Sequence, residues 1–149
     1  MTSSPPPRAD RCSCAGLRKA TRHLTQHYDQ HLAPTGLNIG QYSLLANLAR
    51  RSPIAPGAFA ALMAMDRTTM GRNLQPLERE GLVAVAVDPA DRRSRLVSLT
   101  AAGQARLDVA RPLWAAAQTA FEDRFGAAQA ATLRGLLATL IATDLATAH

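Results

Sequence analysis

Clustered arginines are the side chains in this sequence with the most evident chemistry. Of the 17 lysine and arginine residues only Lys19 is a lysine, and the formal net charge is +6. The planar guanidinium group donates two parallel hydrogen bonds, which suits phosphate oxygens and the edge of guanine. A GC-rich coding bias would also favour arginine, but it does not explain the cluster Arg92, Arg93 and Arg95. The composition therefore predicts an anionic partner.

The residues from 66 to 80 predict a polar, basic helix. Asp66 is the expected N-cap, because its side-chain oxygen can accept hydrogen bonds from the free amides of the first turn. Gly81 follows at the position where helices commonly end in a left-handed residue. Pro76 removes one backbone hydrogen bond and predicts a kink in the second half of the helix. The first turns are then straight enough to enter a nucleic-acid groove.

Two apolar runs after this helix predict a β-hairpin. Leu82–Val87 and Arg95–Leu99 supply β-branched and aliphatic residues, and the seven residues 88–94 between them are rich in turn formers. Ahead of the basic helix, Pro56 opens a short helix that ends in a turn. This order of elements is that of a helix-turn-helix followed by a β-hairpin wing.

The two ends of the chain predict long amphipathic helices. Apolar residues recur at helical spacing from about residue 9 to Leu32, and Thr100 is expected to cap another helix with a second kink at Pro112. A final helix is expected from about residue 127 to 146, with more aliphatic residues on one face than the surface of a monomer needs. These residues are Leu133, Leu136, Leu137, Leu140, Ile141 and Leu145. The pattern predicts a homodimer in which the terminal helices interlock.

The 149 residues therefore predict a mainly α fold of about six helices with one small hairpin. We expect a disordered tail over residues 1–8, a helical dimerisation region over 9–34 and 101–149, and a winged helix-turn-helix lobe over 35–100. The sequence shows neither a bilayer-spanning apolar run nor a signal peptide, which predicts a cytoplasmic protein without a membrane partner. It also has no phosphate loop, nucleophile elbow or metal-hydrolase motif, so we expect neither enzyme activity nor a cofactor.

The motifs along the chain resemble those of the MarR family of bacterial transcriptional regulators. The residues that carry the resemblance are Asp66-Arg67-Thr68-Thr69-Met70 with Arg72, Glu80-Gly81-Leu82-Val83, Asp88-Pro89 with Asp91-Arg92-Arg93, Leu99-Thr100 with Gly103, Gly36-Leu37 with Gln41, and Arg111-Pro112-Leu113-Trp114. The resemblance implies an intertwined, triangular α-helical homodimer that binds a pseudo-palindromic operator in double-stranded DNA. It further implies a repressor that a small ligand or an oxidant often releases.

The resemblance also implies which residues contact DNA. They are Arg67, Thr68, Thr69, Arg72, Asn73, Asp91, Arg92, Arg93 and Arg95. Asp91 is expected to hold Arg93 in an orientation that enters the minor groove, where negative potential is concentrated. On the helix, Arg72 could read guanine and Asn73 adenine, while the threonines bond phosphate or touch a thymine methyl group. An ordinary solvated helix face is the alternative for Arg67 and Asn73.

Family resemblance further implies a small aromatic, often anionic, effector in a crevice between the dimer helices and the lobe. Arg18, Arg22 and His23 on the first helix and Tyr42 on the second are candidates to line this crevice. An arginine could pair with a carboxylate, and a tyrosine or histidine could supply a hydrogen bond. The alternative is that these side chains are polar residues of the surface or of the dimer interface.

Two cysteines near the start of the first helix suggest a different kind of sensor. Cys12 and Cys14 precede a row of histidines at four-residue spacing, His23, His27 and His31. Thiols near a helix N-terminus oxidise readily, and neighbouring imidazoles on one helix face could bind a metal ion. The alternative is a solvated or interfacial helix face without chemistry. A low-specificity architectural DNA-binding protein is a further alternative that the positive charge alone would permit.

Replacing the expected wing arginine tests this interpretation of the hairpin. Arg93→Ala should weaken operator binding by roughly 1–3 kcal/mol, the range typical of one specific contact. The measurement is a fluorescence anisotropy titration on a variant whose dimer is shown to be intact. Unchanged affinity would remove Arg93 from the DNA-binding site.

Overall fold

The computed structural model describes residues 11–146. Within this range the chain forms six α-helices and one antiparallel two-stranded sheet. The helices are α1 (Ser13–Leu32), α2 (Ile39–Arg51), α3 (Pro56–Leu62), α4 (Arg67–Arg79), α5 (Ala101–Phe125) and α6 (Ala127–Ala142), and the strands are β1 (Val83–Asp88) and β2 (Asp91–Leu99). The predicted mainly α fold with a hairpin wing is confirmed. The expected tail over residues 1–8 lies outside the described residues.

Two predicted helix boundaries were wrong. α1 begins at Ser13 rather than near residue 9, because Cys12 has an extended backbone and acts as the N-cap, its Sγ accepting from the Ala15 amide at 3.4 Å. α6 ends at Ala142 rather than near residue 146, because Thr143 takes an extended conformation. The apolar row continues to Leu145 beyond α6, whereas residues 9–12 carry no large apolar side chain, so hydrophobic spacing alone locates neither boundary.

The predicted seven-residue hairpin loop was also wrong. Only Pro89 and Ala90 separate the strands, and Asp88 Oδ1 closes this turn by accepting from the Ala90 amide at 2.9 Å. The extra residues belong to β2, where the register shifts so that Val87 pairs with Arg95 while Asp88 pairs with Asp91. The resulting irregularity lies at the tip of the wing, where a bulge redirects side chains.

One apolar core joins the hairpin to the helices around it. Large side chains from every neighbouring element are fully buried there, among them Leu32, Leu45, Leu48, Phe59, Leu77, Val97 and Leu107. The backbone of Ile54 adds a short bridge to β2, with two hydrogen bonds to Val97 of 2.8 and 3.0 Å. This core fixes α3, α4 and the hairpin as one unit.

The junction between the hairpin and α5 depends on a close backbone contact. Thr100 caps α5 by accepting from the Gly103 amide at 3.0 Å, and its hydroxyl donates to the Gly81 carbonyl at 2.6 Å. A Cβ on Gly103 would collide with the Leu82 carbonyl oxygen and lie 2.6 Å from Leu99 Cδ1. Only glycine therefore lets α5 pack directly against the base of the wing.

Large aliphatic side chains on α6 and beyond are not covered by any part of residues 11–146. Leu136 is 64% exposed, Ile141 77% and Leu145 73%. An apolar surface of this kind marks a contact with another molecule. No single helix in residues 11–146 is long and apolar enough to cross a membrane, and α5 and α6 meet those criteria only as a pair bent by 107°.

A side chain at the glycine of this junction should destabilise the fold. We expect Gly103→Ala to lower the free energy of unfolding by roughly 1–3 kcal/mol, because the backbone must move to relieve the overlap. Urea denaturation measures the change. Gly71→Ala in α4 is the matched control, since nothing lies within 4 Å of its Cβ position. It should raise stability by about 0.5–1 kcal/mol through helix propensity. Equal stability of the two variants would contradict the proposed overlap.

Candidate nucleic-acid interface

Helix α4 separates a buried face from an exposed one. Met70, Leu74 and Leu77 are buried in the core. The opposite side carries an exposed row at helical spacing i, i+3, i+4 and i+7, which we call the outer stripe: Thr68, Gly71, Arg72 and Gln75. Because the core fixes the rotation of the helix, these residues are the ones presented to a partner.

The N-terminus of α4 is held by Asp66 as expected. Its Oδ1 accepts from the Thr69 amide at 2.7 Å and its Oδ2 from the Thr69 hydroxyl at 2.9 Å. These hydrogen bonds from Thr69 hold the pKa of Asp66 below its ordinary value of 3.8. At the other end Gly81 has φ 73°, and the Leu82 amide bonds the Leu77 carbonyl at 2.9 Å, which ends the helix and starts the wing.

Three of the residues expected to contact DNA are engaged within the chain. The Thr69 hydroxyl donates to Asp66, and Asn73 Nδ2 donates to the Thr69 carbonyl at 2.9 Å. The Arg67 guanidinium lies over Gly57 of α3, where an added Cβ would be 2.8 Å from Nη2. Thr68 and Arg72, by contrast, make no side-chain hydrogen bond within residues 11–146. The structure therefore presents Thr68 and Arg72 more freely than the other three.

The arginines of the wing lie near the tip of the hairpin, where hydrogen bonds to Asp91 hold the backbone. Arg92, Arg93 and Arg95 are exposed. Asp91 Oδ1 accepts from the Arg93 backbone amide at 3.0 Å, and Oδ2 accepts from the Ser94 hydroxyl at 3.0 Å. Asp91 thus shapes the backbone around Arg93 and does not pair with its guanidinium. The one ion pair in residues 11–146 joins Arg134 to Glu122 at 3.0 Å, which leaves the wing arginines available to an anion.

Comparison with known proteins agrees with this geometry. Residues 35–94 match the model of the MarR family. The chain is 33% identical over 100 residues to the transcriptional regulator HosA of Escherichia coli O111:H-, covering 64% of this chain and 74% of HosA. The chain belongs to the MarR family. It is also 31% identical over 96 residues to the HTH-type transcriptional repressor NicR of Pseudomonas putida, covering 64% of this chain and 61% of NicR.

Solved MarR-type structures superpose over nearly the whole chain. A probable transcriptional regulator from Pseudomonas aeruginosa gives a TM-score of 0.80 at 29% identity, covering 89% of this chain and 99% of that one. The M. tuberculosis transcriptional regulator MosR in complex with DNA gives a TM-score of 0.73 at 35% identity, covering 88% of this chain and 98% of that one. As a MarR-family protein, the chain is a dimeric, DNA-binding transcriptional regulator. Its relatives are named as regulators and not as enzymes.

The four residues expected to line an effector crevice lie in three different places in this MarR-family chain. His23 lines a cavity of about 610 Å³ between α1, α5 and α6. Arg18 and Arg22 line another cavity, of about 630 Å³, together with Cys14. Tyr42 is buried and stacks on Trp114, with ring centroids 5.8 Å apart. The four therefore do not form one site within a single chain.

The histidine row does not assemble a metal site in the described part of the chain. Nε2 of His27 lies 2.8 Å from the Ala117 carbonyl and Nδ1 of His31 lies 2.9 Å from the His27 carbonyl. Since a carbonyl only accepts, both nitrogens carry protons and cannot ligate a metal there. Within residues 11–146 no three His, Cys, Asp or Glu side chains are placed to hold an ion. Cys12 and Cys14 are both exposed free thiols.

A polar network that sequence reasoning missed ties α1 to α5 and α6. The Tyr28 hydroxyl donates to Gln118 Oε1, and Glu122 accepts from both Gln118 and Arg134 at 3.0 Å. Burial, and then the charge of Glu122, raise the pKa of Tyr28, while the hydrogen bond from Gln118 lowers the pKa of Glu122. Tyr28 and Gln118 are 90 residues apart, so no local pattern could have revealed the network.

The cap of α4 should lose its effect in acid. Because the pKa of Asp66 is lower in the folded chain, its contribution to stability is complete above the ordinary pKa and disappears as the pH falls through the lowered one. The stability advantage of the native chain over Asp66→Ala should therefore shrink below about pH 4. Chemical denaturation at a series of pH values measures it. Asp66→Asn caps without a charge and is the control; an advantage that is constant down to about pH 2 would contradict the ionised cap.

Proposed function

We propose that this regulator represses transcription from a pseudo-palindromic operator and that a small aromatic anion releases it. The observation that carries the DNA-binding part is a set of exposed arginines that form no ion pair within residues 11–146, namely Arg72 on α4 and Arg92, Arg93 and Arg95 on the wing. Guanidinium groups on two adjacent elements match the two grooves and the phosphates of a duplex. Each neutralised phosphate releases counterions, so affinity should fall steeply with salt.

In the proposed complex α4 lies in the major groove and the wing reaches the minor groove. Thr68 and Arg72 then face base edges, while Arg93 enters a narrow minor groove. Two lobes, residues 35–100 of each copy, read half-sites about one helical turn apart. The terminal regions 9–34 and 101–149 form the dimer, because the exposed α6 residues Leu136 and Ile141 need a cover. We place this complex in the bacterial cytoplasm, where the DNA is.

Relatives support a repressor that responds to a ligand. NicR is named as a repressor, and so is CouR, which was solved bound to a 23-mer DNA duplex. The DNA binding of BpsR from Bordetella bronchiseptica is regulated by 6-hydroxynicotinic acid. CouR and BpsR are each 24% identical to this chain with a TM-score of 0.82, so their likeness shows the fold alone. Their ligand chemistry guides the choice of compounds to test.

We place the effector in the cavity that His23 lines between α1, α5 and α6. Its walls combine apolar side chains suited to an aromatic ring with polar groups suited to an anion. The apolar ones are Leu24, Phe121, Phe125 and Leu133, and the polar ones are His23, Gln26, His27, Gln30 and Arg124. Arg124 supplies the charge that would pair with a carboxylate.

Movement of α1 gives this cavity a route to the DNA-binding lobe. His27 in the cavity wall bonds the Ala117 carbonyl of α5, so a ligand that enters there competes with this contact. Two residues further along α1, Asp29 Oδ1 accepts from the Ile39 amide at 2.7 Å and so holds the first residue of α2. A shift of α1 therefore changes the placement of α2 and of the lobe built on it.

A reporter gene placed behind the regulator's operator tests both parts of the proposal. The native chain should lower reporter expression, and an aromatic carboxylic acid chosen by its stabilisation of the protein in a thermal-shift screen should restore it. Arg124→Ala should still repress but should need roughly tenfold or more of the acid, because a charged hydrogen bond is worth about 1.5–3 kcal/mol.

The matched control is Arg18→Ala, which removes an exposed arginine of the other cavity. It should respond to the acid as the native chain does. If Arg18→Ala loses the response to the acid and Arg124→Ala keeps it, the effector does not bind in the cavity that Arg124 lines. A chain that binds operator and unrelated duplex equally at physiological salt would instead be an architectural DNA-binding protein, and the repressor proposal would fail.

A further inference from the structure

Gly71 lies in the second turn of α4, in the middle of the outer stripe. It is helical and exposed, with Thr68 one turn before it and Gln75 one turn after it. A Cβ built on Gly71 would meet no atom within 4 Å. Nothing in the described chain therefore requires this position to lack a side chain.

Gly71 is expected to lower the stability of α4. Glycine inside a helix destabilises it relative to alanine, because more backbone freedom is lost on folding. Gly103 has a visible reason, since an added Cβ would collide with the Leu82 carbonyl, whereas Gly16 in α1 and Gly135 in α6 have as much open space around them as Gly71. Gly71 differs from Gly16 and Gly135 in its place, because it lies on α4 beside Thr68 and Arg72, on the surface that faces the proposed DNA partner.

We infer that Gly71 is the point where α4 comes closest to the base edges of the operator and that it determines sequence specificity. The inference rests on the proposed operator binding. Without a Cβ, the stripe has a notch bounded by Thr68, Arg72 and Gln75, into which a base edge fits against the helix backbone. A glycine allows this kind of close approach to a ligand.

The notch also sets how deeply the helix enters the groove. Arg72 and Gln75 flank it, and neither side chain makes a hydrogen bond within residues 11–146, so both are free to pair with bases. Gln75 was absent from the predicted contacts, and its amide suits adenine N6 and N7. A side chain at position 71 would hold the helix away from the base pairs and lengthen the contacts of both neighbours together.

The test is a size series at this position. Gly71→Ala and Gly71→Leu both introduce good helix formers, so both variants should fold and be at least as stable as the native chain. Affinity for the operator should fall about tenfold for Ala and further for Leu, whereas affinity for an unrelated duplex should change less than about twofold. Anisotropy titrations of both duplexes at one salt concentration, with melting curves, give these quantities.

A matched control, and a comparison of the affinity losses of the Ala and Leu variants, distinguish a steric effect at position 71 from an effect of reduced helix flexibility. Glu78→Ala changes an exposed residue of α4 outside the outer stripe, and it should alter both affinities alike, leaving their ratio unchanged. Loss through reduced helix flexibility would be equal for Ala and Leu, since their helix propensities are similar. Equal losses would therefore overturn the steric inference, as would an unchanged ratio in both variants.

Failure of the inference can be told apart from failure of the proposed function. If the native chain prefers its operator and the Gly71 variants keep that preference, only the role of Gly71 is wrong. If the native chain shows no preference between the duplexes, operator binding itself is wrong and the inference is overturned with it. Should Gly71→Leu fail to fold in the melting curves, Gly71→Ala alone decides the question.

Discussion

Burial of Met70, Leu74 and Leu77 is the constraint on which the candidate DNA-binding surface depends. These three side chains fix the rotation of α4 about its axis, and the exposed stripe follows on the opposite side. Asp66 and Gly81 fix where the helix begins and ends, so its position along the axis is set as well. The polar face of α4 has a defined orientation because its apolar face is buried in the core.

The wing depends on the same core through different contacts. Val97 is buried, its backbone pairs with Ile54, and Gly103 lets α5 approach the base of the hairpin. Asp91 then shapes the tip through the Arg93 amide and the Ser94 hydroxyl. The Arg93 guanidinium forms no ion pair within residues 11–146, so it remains available to an anion.

Helix α1 connects the terminal helices to the lobe. One part of it contacts α5 through His27 and Tyr28, and Asp29 holds the start of α2. These hydrogen bonds are few and specific, so the position of α1 against α5 and α2 depends on a small number of contacts. The polar residues of α1 are therefore better explained by their partners on other helices than by their own periodicity.

Much of the fold was predictable because it follows from local signals. The Asp66 and Thr100 caps, the Gly81 terminus and the apolar rows of the helices each act within a few residues, and the structure has them as predicted. The hairpin tip was less predictable. Turn-forming residues at 88–94 suggested a long loop, whereas cross-strand pairing drew Asp91 and its neighbours into β2.

The sequence by itself determined the order of elements, the helix-turn-helix with its wing, and the arginines offered to an anion, because caps, turns and periodicity are properties of neighbouring residues. Tertiary structure decided which of the side chains remain free to contact a partner. It laid Arg67 over Gly57 and divided His23, Arg18 and Tyr42 among separate places. Those outcomes depend on how separate elements pack against one another, a geometry that no local pattern encodes.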